Sequence, residues 1–152
     1  LYPTLCEYLN LDMPDGLEGT SLLPLRSDPS TTIREQVFGE VTYHAAYEPQ
    51  RCVRTERYTY IRRFDPEYTT PVLANVDAGP SKRFLTDHGF GDRELPQESL
   101  YDRYEDPNER NNLVGHPEYE TIREDLQSRL ETWMAETDDP LLEGPVPEPA
   151  GT

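Results

Sequence analysis

Side chains that form strong hydrogen bonds are concentrated between Glu40 and Phe64. This stretch, EVTYHAAYEPQRCVRTERYTYIRRF, holds five arginines, four tyrosines and one histidine in a chain whose net charge is −16. Guanidinium and imidazolium groups donate charge-assisted hydrogen bonds to anions, and carboxylates accept hydrogen bonds from hydroxyl groups. The cluster could therefore carry out a reaction, bind a substrate for another part of the protein, or hold a small sheet together.

No signature of a complete catalytic site accompanies the cluster. The sequence has no Gly-rich phosphate loop and no G-x-S-x-G elbow. His44, His88 and His116 are too far apart to be ligands at helical spacing. The two cysteines, Cys6 and Cys52, are too few for a disulfide framework or a zinc site, and we interpret both as free and half-buried. Adjacent acids are expected to lie on the solvated surface.

The charge balance excludes two kinds of partner. The 14 basic and 30 acidic residues argue against nucleic acid and against an anionic membrane surface, since both need basic groups. No apolar run reaches the roughly 20 residues of a membrane helix. Lys82 is the one lysine, and an acidic, lysine-poor surface suits a soluble protein in high salt; an Arg-rich genome with an acidic fold is the alternative. A cytoplasmic location in a high-salt organism and export remain open.

Periodicity predicts a few elements around the cluster. Two helices are indicated, the second carrying an apolar stripe, and strand signals occur in four segments. The helices are residues 2–11 and 117 to about 134, and the strands are 36–43, 51–55, 58–64 and 99–102. The stripe runs Tyr119, Ile122, Leu126, Leu130, Trp133 and Met134. We predict an α+β fold, in which a small antiparallel sheet of three to four strands is packed by one long C-terminal helix, with a short N-terminal helix.

The predicted organisation has three parts. Residues 1–28 form a helix and a connecting loop, and residues 29–135 form the sheet-and-helix subdomain. Within the subdomain, residues 65–97 are interpreted as a long irregular insertion, because they contain four prolines and little periodicity. Residues 136–152 are a Pro- and acid-rich tail that we expect to be extended or disordered.

Two motifs, taken with their order and spacing, give the chain a family resemblance. The segment LYPTLCEYLNLDMPDGLEGTSLLPL resembles the place where sulfatases, in the alkaline-phosphatase-like superfamily, run a P-T-L helix into a G-L-x-G-x-S-L-L-P-L loop. The segment SLYDRYEDPNERNNL resembles the sulfatase ending L-Y-D-L-x-x-D-P-x-E-x-x-N-L, with Arg103 where many members have Leu. The matching residues are Pro3, Thr4, Leu5, Gly16, Leu17, Gly19, Ser21, Leu22, Leu23, Pro24, Leu25, Leu100, Tyr101, Asp102, Asp106, Pro107, Glu109, Asn112 and Leu113.

A narrower resemblance is to the sulfamidase (N-sulfoglucosamine sulfohydrolase, or heparan N-sulfatase) branch. There an E-V-T segment leads into a Tyr-rich loop that ends Pro-x-Arg, and a segment similar to WMAETDDP closes the helix. The matching residues are Glu40, Val41, Thr42, Tyr47, Pro49 and Arg51. This chain carries extra residues around His44 to Ala46, so individual positions of the sulfamidase loop cannot be matched to residues of this loop.

The resemblance implies a calcium ion and a formylglycine made from Cys or Ser in C-x-P-S-R. Cys6 and Cys52 lack that context, since neither has the Pro or Ala at +2 or the Arg at +4. We therefore expect no cofactor in this chain, with calcium and formylglycine in a missing upstream domain. The chain is then a C-terminal fragment of a hydrolase of sulfated sugars, without the catalytic centre. A stand-alone binding module and part of a phosphonate or phosphate-ester hydrolase are the alternatives.

The resemblance also gives the opening cluster a candidate role, because loops of this subdomain help to enclose the substrate cleft in related enzymes. Arg and His suit anionic sugars, and aromatic rings suit the apolar faces of sugars. His44, Tyr47, Glu48 and Arg51 are the candidate substrate-binding residues. The alternative is that Tyr43 and Tyr47 pack, and that Arg51 and Arg54 pair with neighbouring carboxylates. No metal site is predicted.

Overall fold

The computed structural model describes residues 1–147, which divide into a first unit, Leu1–Glu35, and a second unit that begins at Gln36. The first unit contains α1 (Tyr2–Leu9) and the short helix α2 (Pro24–Ser27). Helix α1 ends before the predicted Leu11 because Asn10 adopts a left-handed conformation with φ 51°. The unit extends beyond the predicted residue 28, because Arg34 donates to the Thr20 hydroxyl and the Glu18 carbonyl.

The second unit contains one antiparallel sheet of four strands in the order β1-β2-β3-β4. The strands are β1 (Gln36–Tyr43), β2 (Tyr47–Thr55), β3 (Tyr58–Arg63) and β4 (Glu98–Asp102). Cross-strand pairing aligns one apolar row across the sheet, which runs Phe38, Val53, Tyr60 and Leu100. The predicted α+β fold class is confirmed.

A long helix, α4 (Glu120–Glu136), packs on this apolar row and follows a 3₁₀ turn at Pro117–Tyr119. Leu126, Leu130 and Met134 are at most 2% exposed and join the core of the sheet. Trp133 stacks on Phe38 with ring centroids 4.9 Å apart. The helical periodicity of the sequence therefore identified the face that α4 buries.

The free edge of β4 is covered by its own following loop. Asn112 Oδ1 accepts a hydrogen bond from the Leu100 N–H at 2.9 Å, and Asn112 Nδ2 donates to the Glu98 carbonyl at 3.0 Å. The Leu113 N–H donates to the Leu100 carbonyl at 2.9 Å. These bonds satisfy edge groups that could otherwise pair with another chain.

Residues 65–97 are more ordered than the predicted irregular insertion. They contain an eight-residue helix, α3 (Pro80–Asp87), between short 3₁₀ turns at Leu73–Asn75 and Phe90–Asp92. Pro80, one of the four prolines in this segment, occupies the first turn of α3, where a missing N–H costs little. Helix α3 buries none of its residues.

The tail is also more ordered than predicted, as far as residue 147. Pro140–Leu142 form a 3₁₀ turn in which the Asp139 carboxylate accepts a hydrogen bond from the Leu141 N–H at 3.0 Å. Leu141 is 8% exposed and belongs to the core. The rest of the predicted tail, residues 148–152, lies outside the described residues.

Across residues 1–147, no helix has both the length and the apolar character needed to span a bilayer.

Replacement of Leu130 by Ala should lower the free energy of unfolding by about 2–5 kcal/mol, because it leaves a cavity between α4 and the sheet. Leu130 is 0% exposed, whereas Leu142 is 54% exposed, so Leu142→Ala is the matched control. Urea unfolding followed by circular dichroism measures both variants. Equal destabilisation by the two substitutions would contradict the burial of Leu130 between α4 and the sheet.

Candidate substrate-contact site

The candidate residues lie on the hairpin that joins β1 to β2. Tyr43 and Tyr47 pair across its end, and residues 44–46 form the connection, which we call the hairpin tip. The strand register shifts between Val41 and Tyr43, so the ladder is irregular just before the tip. The only backbone hydrogen bond described within the tip joins the His44 N–H to the Ala46 carbonyl at 3.3 Å.

Arg51 lies inside the second unit and is 2% exposed. Its Nε and Nη2 donate to the two carboxylate oxygens of Asp139 at 2.5 and 3.1 Å. The remaining donors reach the carbonyls of Val41 and Gln50 and the hydroxyl of Thr42 at 2.8, 3.0 and 3.0 Å. A guanidinium has five N–H donors, and each is used here. The structure therefore favours the alternative interpretation of Arg51, in which it pairs with a carboxylate.

Asp139 is buried with Arg51, at 4% exposure. Burial alone would raise the pKa of its carboxyl group, but the hydrogen bonds from Arg51 and from the Leu141 N–H hold that pKa below its ordinary value. Glu40 approaches Arg51 Nε at 3.6 Å from an exposed position and adds little. The Arg51–Asp139 pair therefore fixes the tail to β2 as a charged pair at neutral pH.

Tyr47 also holds the tail. The Tyr47 hydroxyl accepts a hydrogen bond from the Val146 N–H at 3.3 Å, and the Tyr43 hydroxyl donates to the Val146 carbonyl at 3.1 Å. The two rings lie 4.9 Å apart. Both phenols thus bind the backbone of one tail residue, as the packing alternative for Tyr43 and Tyr47 expects.

Glu48 is half-buried and accepts a hydrogen bond from Asn75 Nδ2 at 2.7 Å. Asn75 comes from the 65–97 segment, and sequence reasoning did not single it out. An isolated Asn in a segment without periodicity carries no signal of a contact this distant. Asp139 was missed because it lies in the tail that the sequence predicted to be extended or disordered.

His44 differs from the other three candidates. It is exposed at the hairpin tip, and its imidazole has no hydrogen bond or ion pair among the described residues. The structure thus places His44 and Tyr47 on one hairpin but does not bring all four candidates together around one ligand-sized space. Of the four, His44 has the side chain that is most available to a ligand.

An apolar groove of about 280 Å³ lies on the sheet face opposite α4. Gly39 and Cys52 pair across its floor, where a Cβ on Gly39 would come within 3.0 Å of Cys52 Sγ. Burial raises the pKa of the Cys52 thiol, so the protonated form is favoured at neutral pH. This thiol is therefore poorly suited to act as a nucleophile.

The described residues do not fit the calcium ion and formylglycine that the family resemblance implies. No group of three or more His, Cys, Asp or Glu side chains within residues 1–147 could hold a metal ion. Neither cysteine stands in a C-x-P-S-R sequence.

Comparison with known proteins gives the family. No protein-family model matches the chain. An ulvan-active sulfatase of Formosa agariphila is 30% identical over 149 residues, which cover 95% of this chain and 30% of the relative. Human N-sulphoglucosamine sulphohydrolase is 24% identical over 169 residues, which cover 95% of this chain and 33% of the relative. The chain corresponds to the C-terminal region of the sulfatase family.

Solved structures agree with this assignment. A 2-O GAG sulfatase superposes with a TM-score of 0.63 at 25% identity, over 93% of this chain and 25% of that one. A phosphonate monoester hydrolase of Agrobacterium radiobacter superposes with a TM-score of 0.54 at 22% identity, over 88% and 24%, and this likeness shows the fold alone. The chain spans about a third of the length of the two curated relatives named above. The comparisons support the family rather than one branch of it, since an ulvan-active sulfatase and a sulfamidase both match.

The sulfatase motif after β4 has structural roles in this chain. The Asp102 carboxylate is buried and accepts hydrogen bonds from Arg57 at 2.6 and 2.9 Å and from the Tyr104 N–H at 3.0 Å. Asp106 accepts from two N–H groups of the same loop, and Glu109 accepts from the buried Thr59 hydroxyl. The motif residues thus stabilise the loop that follows β4.

Replacement of Asp139 by Asn should destabilise the second unit by about 3 kcal/mol at neutral pH, because the buried Arg51 charge loses its partner. The native pair depends on ionised Asp139, whose pKa is lowered in the folded state. Its stabilisation is therefore complete above the unfolded pKa of about 3.9 and is lost as the pH falls through the lower folded value. The difference between native and variant chains should shrink between about pH 5 and pH 2.

Urea unfolding across this pH range measures the difference, and Asp138→Asn, at an exposed neighbouring position, is the matched control. A difference that stays constant with pH would show that the ion pair is not the source of the stabilisation.

Proposed function

We propose that this chain is the C-terminal part of a sulfatase-type hydrolase that acts on sulfated sugars. The observation that carries the proposal is the match to an ulvan-active sulfatase, which extends over 95% of this chain but only 30% of the relative. The chain's role is to complete the fold of the enzyme and to contribute the hairpin tip at His44 to the surface that meets the substrate. The catalytic centre, with formylglycine and calcium, belongs to the upstream part of the polypeptide.

The first unit supports a catalytic domain of the same polypeptide as the partner. Helix α1 buries only Pro3 and Cys6, while its other apolar side chains remain more than half exposed. These side chains are Tyr2, Leu5, Tyr8 and Leu9. An exposed apolar helix face of this kind marks a protein contact. The relatives indicate which part of the protein would cover this helix face, since two thirds or more of their length lies beyond the matched region.

A sulfated sugar suits the hairpin tip because the tip carries an exposed side chain that can donate a hydrogen bond. His44 is exposed, and its imidazole can donate a hydrogen bond to a sulfate oxygen or a hydroxyl group. The other candidates hold the tail and the 65–97 segment, so they support the tip rather than contact the ligand. Relatives whose names specify ulvan, a hexuronate 2-O-sulfate and N-sulphoglucosamine place sulfated carbohydrates first among the possible ligands.

A stand-alone binding module is the second candidate function. The second unit has a core of its own, in which Val53, Tyr60, Leu100 and Leu130 are 0% exposed. Such a unit can fold without a partner. Both candidates lack a catalytic centre in this chain, and they differ in whether an upstream catalytic region is needed for biological function.

The chain by itself should not hydrolyse an aryl sulfate, with or without calcium, because no group of three or more metal-ligating side chains and no C-x-P-S-R cysteine occur in the described part. Colorimetric assay of the purified chain measures this. When a catalytic region encoded in frame upstream is joined to the chain, turnover should appear. Turnover by the chain alone would refute the proposal, and an inactive joined protein would favour the stand-alone module.

Replacement of His44 by Ala should abolish the chemical-shift changes that D-glucosamine 2-N,6-O-disulfate induces at the hairpin tip, because the imidazole is the donor. His116→Ala is the matched control, since His116 is also exposed but lies beside Glu118 before α4. Unsulfated glucosamine should give no such changes. Equal responses of the native chain and His44→Ala would exclude His44 as a substrate contact.

A further inference from the structure

Asn75 uses its whole side-chain amide to hold the hairpin tip. Its Oδ1 accepts hydrogen bonds from the Ala45 and Ala46 N–H groups at 2.9 and 2.7 Å. Its Nδ2 donates to the Ala46 carbonyl at 3.3 Å and to Glu48 Oε2 at 2.7 Å. An amide side chain has two donors and one acceptor oxygen with two lone pairs, and all four possibilities are used here.

The tip needs this support because its own structure is weak. Within residues 44–46 the one described backbone bond is the 3.3 Å contact from the His44 N–H, and the register of the sheet shifts just before it. Ala45 and Ala46 have no polar side chains to replace the missing bonds. An unsupported tip of this length would be mobile, and the position of His44 would be poorly defined.

Lys82 in α3 fixes the turn that carries Asn75. The Lys82 ammonium donates to the carbonyls of Leu73 and Val76 at 2.6 and 2.8 Å. Leu73 is the first residue of the 3₁₀ turn Leu73–Asn75, and Val76 directly follows the turn. The one lysine of the chain thus ties α3 to the turn, and Asn75 ties the turn to the hairpin tip.

We propose that Asn75 is a positioning residue for His44, and that the 65–97 segment acts on the sugar-contact surface through this side chain. The inference rests on the proposed function for what His44 contacts, whereas the hold on the tip is a property of this chain alone. Asn75 sets the backbone on which His44 stands and does not itself touch the ligand. Lys82 contributes indirectly, by fixing the turn.

The first test is amide hydrogen exchange at Ala45 and Ala46 in the full chain, with the buried strand residue Val53 as internal reference. Asn75→Ala should speed exchange at both tip amides by about fivefold relative to Val53, because each loses a hydrogen bond worth about 1 kcal/mol. Lys82→Met should have a smaller effect in the same direction. Asn111→Ala, at an exposed loop position, is the matched control and should change neither amide.

Swapping the donor and acceptor roles of residues 75 and 48 distinguishes positioning of the tip from a general loss of stability. Asn75→Asp alone keeps an acceptor for the tip amides but sets a carboxylate against Glu48, which repels it, so tip exchange should speed up. Adding Glu48→Gln supplies an amide donor to the introduced carboxylate and should bring tip exchange back to within about threefold of the native chain. Glu48→Gln alone, with Asn75 unchanged, should not slow exchange at the Ala45 and Ala46 amides below its rate in the native chain.

The same variants are titrated with D-glucosamine 2-N,6-O-disulfate while the His44 ring resonances are followed. Asn75→Ala should weaken the response about tenfold, and the reciprocal pair should restore it. If the native chain does not respond to the sugar while the exchange pattern holds, the proposed sugar contact is wrong and the positioning by Asn75 stands. Unchanged exchange at Ala45 and Ala46 in Asn75→Ala, or no rescue by the reciprocal pair, overturns the inference.

Discussion

The buried ion pair between Arg51 and Asp139 is the interaction on which the second unit depends. It joins the middle of β2 to the segment that follows α4, across a sequence separation of 88 residues. Burial of two charges is costly, and the cost is offset only when the geometry is good and the remaining donors are satisfied. Both conditions are met, since every guanidinium donor of Arg51 has an acceptor. The pair in turn places Leu141 in the core and Val146 against the two tyrosines.

A second buried carboxylate, that of Asp102, also pairs with an arginine, although this arginine, Arg57, is about half exposed. Asp102 ends β4, is 2% exposed, and accepts both from Arg57 and from backbone N–H groups of the following loop. Asp102 belongs to the sulfatase-like motif, and Asp139 lies in the sulfamidase-like closing segment. In this chain the residues that carry the family resemblance therefore build loops and sheet edges. Within residues 1–147 no group of three or more His, Cys, Asp or Glu side chains could hold a metal ion, and these two carboxylates instead bind arginine and backbone groups.

The sequence was sufficient for the elements that have a regular period. The strands and α4 bury one face, so alternation and the stripe from Tyr119 to Met134 identified them, although β2 begins at Tyr47 rather than at the predicted residue 51. Helix α3 was not predicted because it buries none of its residues. The ordered part of the tail was not predicted because its order depends on Arg51. Elements whose structure is fixed by single distant contacts leave no periodic signal.

The candidate site shows the same limit. The sequence identified side chains suited to strong hydrogen bonds, but a residue type does not say whether its partner is a ligand or another segment of the chain. Arg51, Tyr47 and Glu48 are bound by Asp139, Val146 and Asn75, which lie between 27 and 99 positions away in the sequence. Only the three-dimensional contacts show that these three residues are bound by other segments of the chain, whereas the His44 side chain is not.

The connection between the tyrosine pair and Val146 has a consequence for synthesis of the protein on the ribosome. The Tyr43 hydroxyl reaches a residue 103 positions later, and Arg51 finds its carboxylate only at Asp139. While the intermediate residues are being translated, β1 and β2 have left the exit tunnel with an uncompensated arginine and an uncovered apolar row. Closure of the unit therefore waits for its last segment to emerge, and during that interval chaperones have an exposed hairpin to bind.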